Sequence, residues 1–134
     1  MKRPTDAELA ILRVLWKRGP STVREVVDEM RHQGAYTTVL KTLQIMTEKG
    51  LVRRNEDERT HVYQAAASQG STQRQLVSDL MHRAFDGSAA RLVLQALQAG
   101  KTSPAELAEI RQLLDTHGSA AAKTTTDKRK KGGR

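Results

Sequence analysis

The sequence predicts a mainly α protein with one small β-hairpin, and three observations carry that expectation. Apolar residues recur at three- and four-residue spacing through six separate stretches of the 134-residue chain, each bounded by glycine, proline or a capping residue. The helical spacing stops at Gly50, and Leu51-Val52-Arg53-Arg54-Asn55 and Thr60-His61-Val62-Tyr63-Gln64-Ala65 read as two strands with a polar run between them. The last three helical stretches lie in a segment, residues 70–122, that holds five Lys+Arg against five Asp+Glu. Its net charge is zero.

The first helix starts at a cap on Thr5 or Asp6, with Glu8 in its first turn at the positive end of the dipole. Leu9, Leu12, Leu15 and Trp16 form its buried stripe, and Gly19-Pro20 ends it. Ser21 caps a second helix with Glu25 close to the capping-box position. Val23, Val26, Val27 and Met30 are its apolar face, and Gly34 closes it. The third helix, residues 35–50, buries Val39, Leu43 and Met46 with Leu40 beside them, and Gly50 terminates it. Helices this short are unstable alone in water and must pack as a cluster. Two strands follow, with Glu56, Asp57, Glu58 and Arg59 at the tip between them. Residues 65–71 are small and polar, suited to a hinge. A fourth helix over 72–85 repeats Leu76, Val77, Leu80, Met81, Ala84 and Phe85. A fifth over 89–99, capped by Ser88, shows Leu92, Val93, Leu94 and Leu97. The sixth begins at Ser103-Pro104 with Glu106 at its third position, and carries Leu107, Ile110, Leu113 and Leu114. From Thr116 the composition turns to Ala, Thr, Lys and Gly without a stripe, which reads as a disordered basic tail over 117–134.

Helix–helix–helix–hairpin is the order of a winged helix-turn-helix, whose third helix reads DNA while the hairpin flanks it. The expected organisation is a winged-helix domain over 4–68 and a helical dimerisation region over 71–116, ahead of the tail. The outer face of the third helix presents Thr37, Thr38, Lys41, Thr42 and Gln44, side chains able to meet base edges and phosphates. The expected DNA contacts are Tyr36, Thr37, Thr38, Lys41 and Thr42, with Arg59 on the wing. Arg53 and Arg54 are secondary candidates beside an acidic tip. Three amphipathic helices with few aromatics bury little alone, so a two-fold dimer is expected through Leu76, Leu80, Phe85, Leu92, Leu97, Leu107, Ile110 and Leu114. Such a dimer would read a roughly palindromic operator. An independent three-helix subdomain is the alternative.

Composition narrows the classes further. Net charge is +8, with twelve Lys+Arg against nine Asp+Glu in residues 1–69 and six against one in 123–134. A positive front half and a basic tail fit an anionic partner. Aromatics make up 3% and cysteine is absent. An aromatic-lined ligand pocket, a disulfide framework and a thiolate metal site are therefore not expected. No apolar run reaches membrane-spanning length and MKRPTDAE lacks a signal-peptide core, so a cytoplasmic location without membrane insertion is expected. His32, His61, His82 and His117 are scattered, with no HExxH spacing, no G-x-S-x-G and no phosphate loop. No enzyme activity, cofactor or bound metal is expected. A winged-helix module for protein contacts only, and a ligand-sensing regulator, are the competing readings.

The pieces TDAELAILRVLW, AYTTVLKTLQIMTEKGLV, RTHVYQA and AFDGSAARLVLQAL with SPAELAEIRQLLD resemble the BlaI/MecI/CopY-type penicillinase repressors over about residues 4–116. The resemblance implies a dimeric repressor on palindromic operators. It also implies inactivation when a membrane sensor's protease, or a downstream partner, cuts the dimerisation region. Three departures accompany it. The family commonly has an arginine near Ile45, in the run TLxRLxxKG, where this chain has an apolar residue. The Asn-Phe bond cut in staphylococcal members corresponds to Gln95-Ala96. The cysteine cluster of the copper-responsive members is missing, which excludes copper sensing of that kind.

Overall fold

The computed structural model describes residues 3–31, 34–57 and 59–132, with side-chain surroundings described as far as residue 119. The elements run α1 (Asp6–Arg18), β1 (Ser21–Thr22), α2 (Val23–Met30), α3 (Tyr36–Lys49), β2 (Val52–Asn55), β3 (Val62–Ala65), α4 (Gln69–Ala84), α5 (Ala89–Ala99) and α6 (Pro104–Gly132). The expected class holds: mainly helical, with a small antiparallel sheet and a helical C-terminal part.

Capping follows local sequence closely. Thr5 caps α1 through a full capping box, its Oγ1 accepting from Glu8 N while Glu8 Oε1 accepts from Thr5 N at 2.9 Å. The second box sits one residue later than Ser21: Thr22 and Glu25 exchange the same pair of bonds. Ser21 instead lies fully buried in a strand. Its hydroxyl donates to Gly19 O at 2.8 Å and accepts from Arg18 Nε at 3.2 Å. Nor does Gly34 close α2, which stops at Met30 with Arg31 at φ 56°.

The sheet has three strands in the order β1-β3-β2. The hairpin pairs Val52 with Ala65, Arg53 with Gln64, Arg54 with Tyr63 and Asn55 with Val62. β1 adds Ser21↔Tyr63 and Thr22↔Val62 on the other side of β3. Two residues give no periodic signal, so this strand is invisible to sequence patterning. It exists because the hairpin docks against the turn before α2.

One core joins these parts. Ile11, Leu12 and Leu15 of α1 meet Val23 and Val26 of α2, then Val39, Leu43 and Met46 of α3, with Leu51, Val52 and Tyr63 closing the sheet side. Ile11 takes the place expected of Leu9, which with Trp16 is only half-buried. Segment 65–71 is not a free hinge. Ala66 N donates to Leu51 O at 2.9 Å, Trp16 Nε1 donates to Ala67 O at 3.0 Å, and Thr72 is buried. α4 accordingly starts early, at Gln69 with Ser68 as its cap, and Arg3 lies 3.8 Å from Asp79 on it.

The chain divides into a compact unit through Gly87 and a second from Ser88. Ser88 caps α5 and Ser103 caps α6, with Glu106 N donating to Ser103 Oγ at 3.1 Å. The helix α6 continues to Gly132, through the segment expected to be an irregular tail. Ala and Lys in that segment have high helix propensity and no proline interrupts them. No described residue of the second unit is buried.

Glu8 gains a role beyond the first turn. It is 3% exposed, and Lys49 Nζ donates to both carboxylate oxygens at 2.9 Å, so the start of α1 is joined to the end of α3. Burial opposes its ionised form, but the Thr5 N–H and the Lys49 ammonium outweigh that and hold the carboxyl below its ordinary value of 4.5. A depressed folded value gives stability that is complete above the unfolded pKa and is lost as pH falls through the folded one. Glu8→Gln keeps the capping geometry and removes the ion pair. It is expected to cost about 1–3 kcal/mol at neutral pH, with urea unfolding curves of the two proteins converging as the solution is acidified below the carboxyl range.

Candidate nucleic-acid interface

Helix periodicity decides which side chains of α3 face outward. With Val39, Leu43 and Met46 buried, Tyr36, Thr37, Thr38, Lys41, Gln44, Ile45 and Glu48 are exposed. Three of the expected contacts, Thr37, Thr38 and Lys41, therefore share the open side of one helix, while Tyr36 lies on the side of Val39 and Leu43 and is exposed because it opens the first turn. Thr42 does not join them fully. It is half-buried toward Ala7, Ile11 and Met30, and its hydroxyl donates back to Thr38 O at 2.8 Å. That bond uses its only proton, a common fate of threonine inside a helix.

The start of α3 is open as well. Ala35 occupies the N-cap and offers no side-chain oxygen. Among the described residues, the first-turn N–H groups of Tyr36, Thr37 and Thr38 have no acceptor. Unsatisfied donors at the positive end of a helix dipole suit an anion such as phosphate.

Arg59 belongs to the same neighbourhood. A groove of about 280 Å³ runs between the start of α2, the start of α3 and the hairpin, lined by Arg24, Tyr36, Arg59, Thr60, His61 and others. The Arg24 guanidinium lies 5.3 Å from the Tyr36 ring centroid, a cation–π distance. Tyr36 thus packs against α2 through Arg24 while remaining 42% exposed.

Arg24 escaped the sequence reading, although a signal for it was present. It sits in the first turn of α2, where the helix dipole disfavours a cation. A basic residue there is better placed for an external anion than for its own helix. The strand arginines differ in availability. Arg54 hydrogen-bonds Tyr63, which raises its pKa first, and is paired with Glu56. Arg53 is exposed on β2.

Among the described residues, Arg24, Lys41 and Arg59 have no carboxylate partner, whereas Lys17, Arg18, Lys49 and Arg54 are all ion-paired. Glu58 at the tip lies outside the described residues, as does His32. His82 Nδ1 lies 2.8 Å from Ser78 O on its own helix, and His117 is exposed on α6. No described group of three or more His, Cys, Asp or Glu could hold a metal ion. The open groups here are donors and cations, suited to holding phosphates and base edges.

The expected dimer residues have open surface in this single chain. Leu80, Leu97 and Leu114 are exposed, while Leu76, Phe85, Leu92, Leu107 and Ile110 are half-buried. Val77, Val93, Leu94 and Leu113 are exposed beside them, Leu94 at 52% and Leu114 at 60%. Gln95 and Ala96 are exposed inside α5. No described helix is long and apolar enough to cross a membrane.

Comparison with known proteins gives a consistent result. Residues 4–116 match the family described as Penicillinase repressor. A penicillinase repressor of Bacillus licheniformis is 26% identical over 117 residues, covering 84% of this chain and 90% of the relative. A protein named transcriptional regulator BlaI, from Mycobacterium tuberculosis, is 33% identical over 97 residues, covering 70% of each chain.

Arg24→Ala and Arg59→Ala are each expected to weaken binding evenly across duplex sequences and to flatten the log–log salt dependence by about one unit. Lys41→Ala is expected to cost about 1–3 kcal/mol on a preferred sequence and less on scrambled DNA. Gel-shift titrations of both duplexes over a salt series measure all three.

Proposed function

The chain belongs to the penicillinase repressor family and is a transcriptional repressor of the BlaI type, and from that premise we propose that it acts as a homodimer on a palindromic DNA operator. One observation carries the proposal: the uncapped start of α3, its exposed Thr37–Thr38–Lys41 side and the unpaired cations Arg24 and Arg59 lie around one end of the first unit. In this reading α3 enters the major groove with Thr37, Thr38 and Lys41 at base edges. Tyr36, Arg24 and Arg59 hold the phosphates on either side. Thr42 keeps a supporting part, shaping the start of the helix through its bond to Thr38 O.

The second half supplies the other copy. No residue of helices α5 and α6 whose burial is described is buried, yet they carry Leu94, Leu97, Leu113 and Leu114 in the open. Exposed leucines in this number favour cover from a second copy over exposure to water. Residues 71–116 are the dimerisation region and 4–68 the reading domain, while the basic residues of 117–134 add unspecific attraction to DNA or solubility. Trp16 and Leu51 hold Ala67 and Ala66, which ties the start of α4 to the reading domain and favours a dimer geometry that sets half-site spacing. The operating compartment is the cytoplasm, where the operator is.

Relief by a membrane sensor's protease is the inducing step implied for this family. In this chain the corresponding Gln95-Ala96 bond lies within helix α5. A protease that needs extended substrate acts there only after local unwinding, so cleavage at this place is coupled to opening of the C-terminal helices.

Leu80→Asp tests the dimer. A carboxylate in an apolar contact between copies is expected to release monomers in sedimentation, with operator affinity falling together with the loss of the second half-site. An unchanged dimer would remove α4 from the interface. For the DNA-reading proposal as a whole, equal and salt-insensitive retention of operator and scrambled duplex would be decisive against it.

A further inference from the structure

We propose that Ile45 reads a thymine methyl group in the major groove, making it a specificity-determining residue of the DNA face. Ile45 is 40% exposed, and between Arg3 and Ala65 no other described large aliphatic side chain is exposed. It stands one turn after Lys41 and two turns after Thr38, about 6 and 10 Å along the helix axis, on the side opposite Leu43. Ile45, beside Thr38, Lys41, Gln44 and Glu48, belongs neither to the buried core nor to the hydrophobic residues packed against it. Its apolar surface is offered outward.

The neighbours select the occupant. Any partner that covered Ile45 would also have to supply an anion to the Lys41 ammonium one turn away, which has no ion pair among the described residues. The major groove offers an anionic rim for the cation and isolated methyl groups for the aliphatic chain within one surface. Only thymine carries such a methyl. Thr42 makes the dependence on Ile45 sharper, because its hydroxyl is already bonded to Thr38 O and adds no donor at this level of the helix. The inference rests on the DNA-reading role proposed for α3 and adds the chemistry of one position within it.

The test starts from a random-sequence duplex library selected on the full-length protein. The enriched duplex is then remade with deoxyuridine replacing one thymidine at a time, which deletes the C5 methyl and leaves every hydrogen-bonding group. One thymine in each half-site is expected to respond, with about a fourfold weakening per half-site, equivalent to about 0.8 kcal/mol for one buried methyl-sized group. Ile45→Ala is expected to bind thymidine and deoxyuridine versions of that position equally, and Ile45→Val to fall between. Because Ile45 lies outside the core cluster, both variants are expected to stay folded at the binding temperature, and thermal unfolding of each separates a reading role from a structural one. Wild-type indifference to methyl removal at every thymine would overturn the assignment of Ile45 while leaving the reading helix intact. A library that shows no enrichment would overturn both.

Discussion

Burial of Val39, Leu43 and Met46 is the constraint from which the rest of the reading unit follows. A helix with three side chains sealed into a core has no freedom to rotate about its axis. Once those three face inward, the 3.6-residue period sends Thr37, Thr38, Lys41 and Ile45 outward together. Lys49 then fixes the far end of α3, since its ammonium is held by a carboxylate that is itself capping α1. One buried residue, Glu8, thereby serves the start of the first helix and the end of the third.

Charge is sorted by the fold rather than spread over it. Arg18 meets Ser21, Glu25 and Glu29, Lys17 meets Glu29, Lys49 meets Glu8, and Arg54 meets Glu56 and Tyr63. These cations are neutralised inside the unit. Among the described residues, Arg24 has the Tyr36 ring beside it, and Lys41 and Arg59 have no carboxylate partner. Arg13, Arg31 and Arg53 are also without an ion pair among the described residues, so the cations near the start of α3 are a share of the unit's positive excess, and open N–H groups add to it there.

The second unit shows the opposite economy. Its helices are capped as well as those of the first, by Ser88 and Ser103, but capping satisfies only the ends. Leu94 and Leu114 face outward because two helices of this kind enclose no volume of their own. Local order is complete there, and apolar burial is not. That imbalance is what a second copy would correct.

Sequence by itself determined whatever acts within about four residues. The stripe of α3, the Gly50 terminus, the Thr5 and Glu8 box and the Ser103-Pro104-Glu106 start are all local, and the end of helical spacing at Gly50 with the polar tip at 56–59 announced the hairpin. Where two local solutions competed, patterning missed by one residue, as with Ser21 and Thr22. The tertiary structure alone decided the rest. Lys49 reaches Glu8 across 41 positions, and Trp16 reaches Ala67 across 51. Arg24, Tyr36 and Arg59 converge only because three elements dock at fixed angles. Contacts of that kind depend on how faces pack in space, and no periodicity along the chain encodes which exposed cation will stand beside which ring.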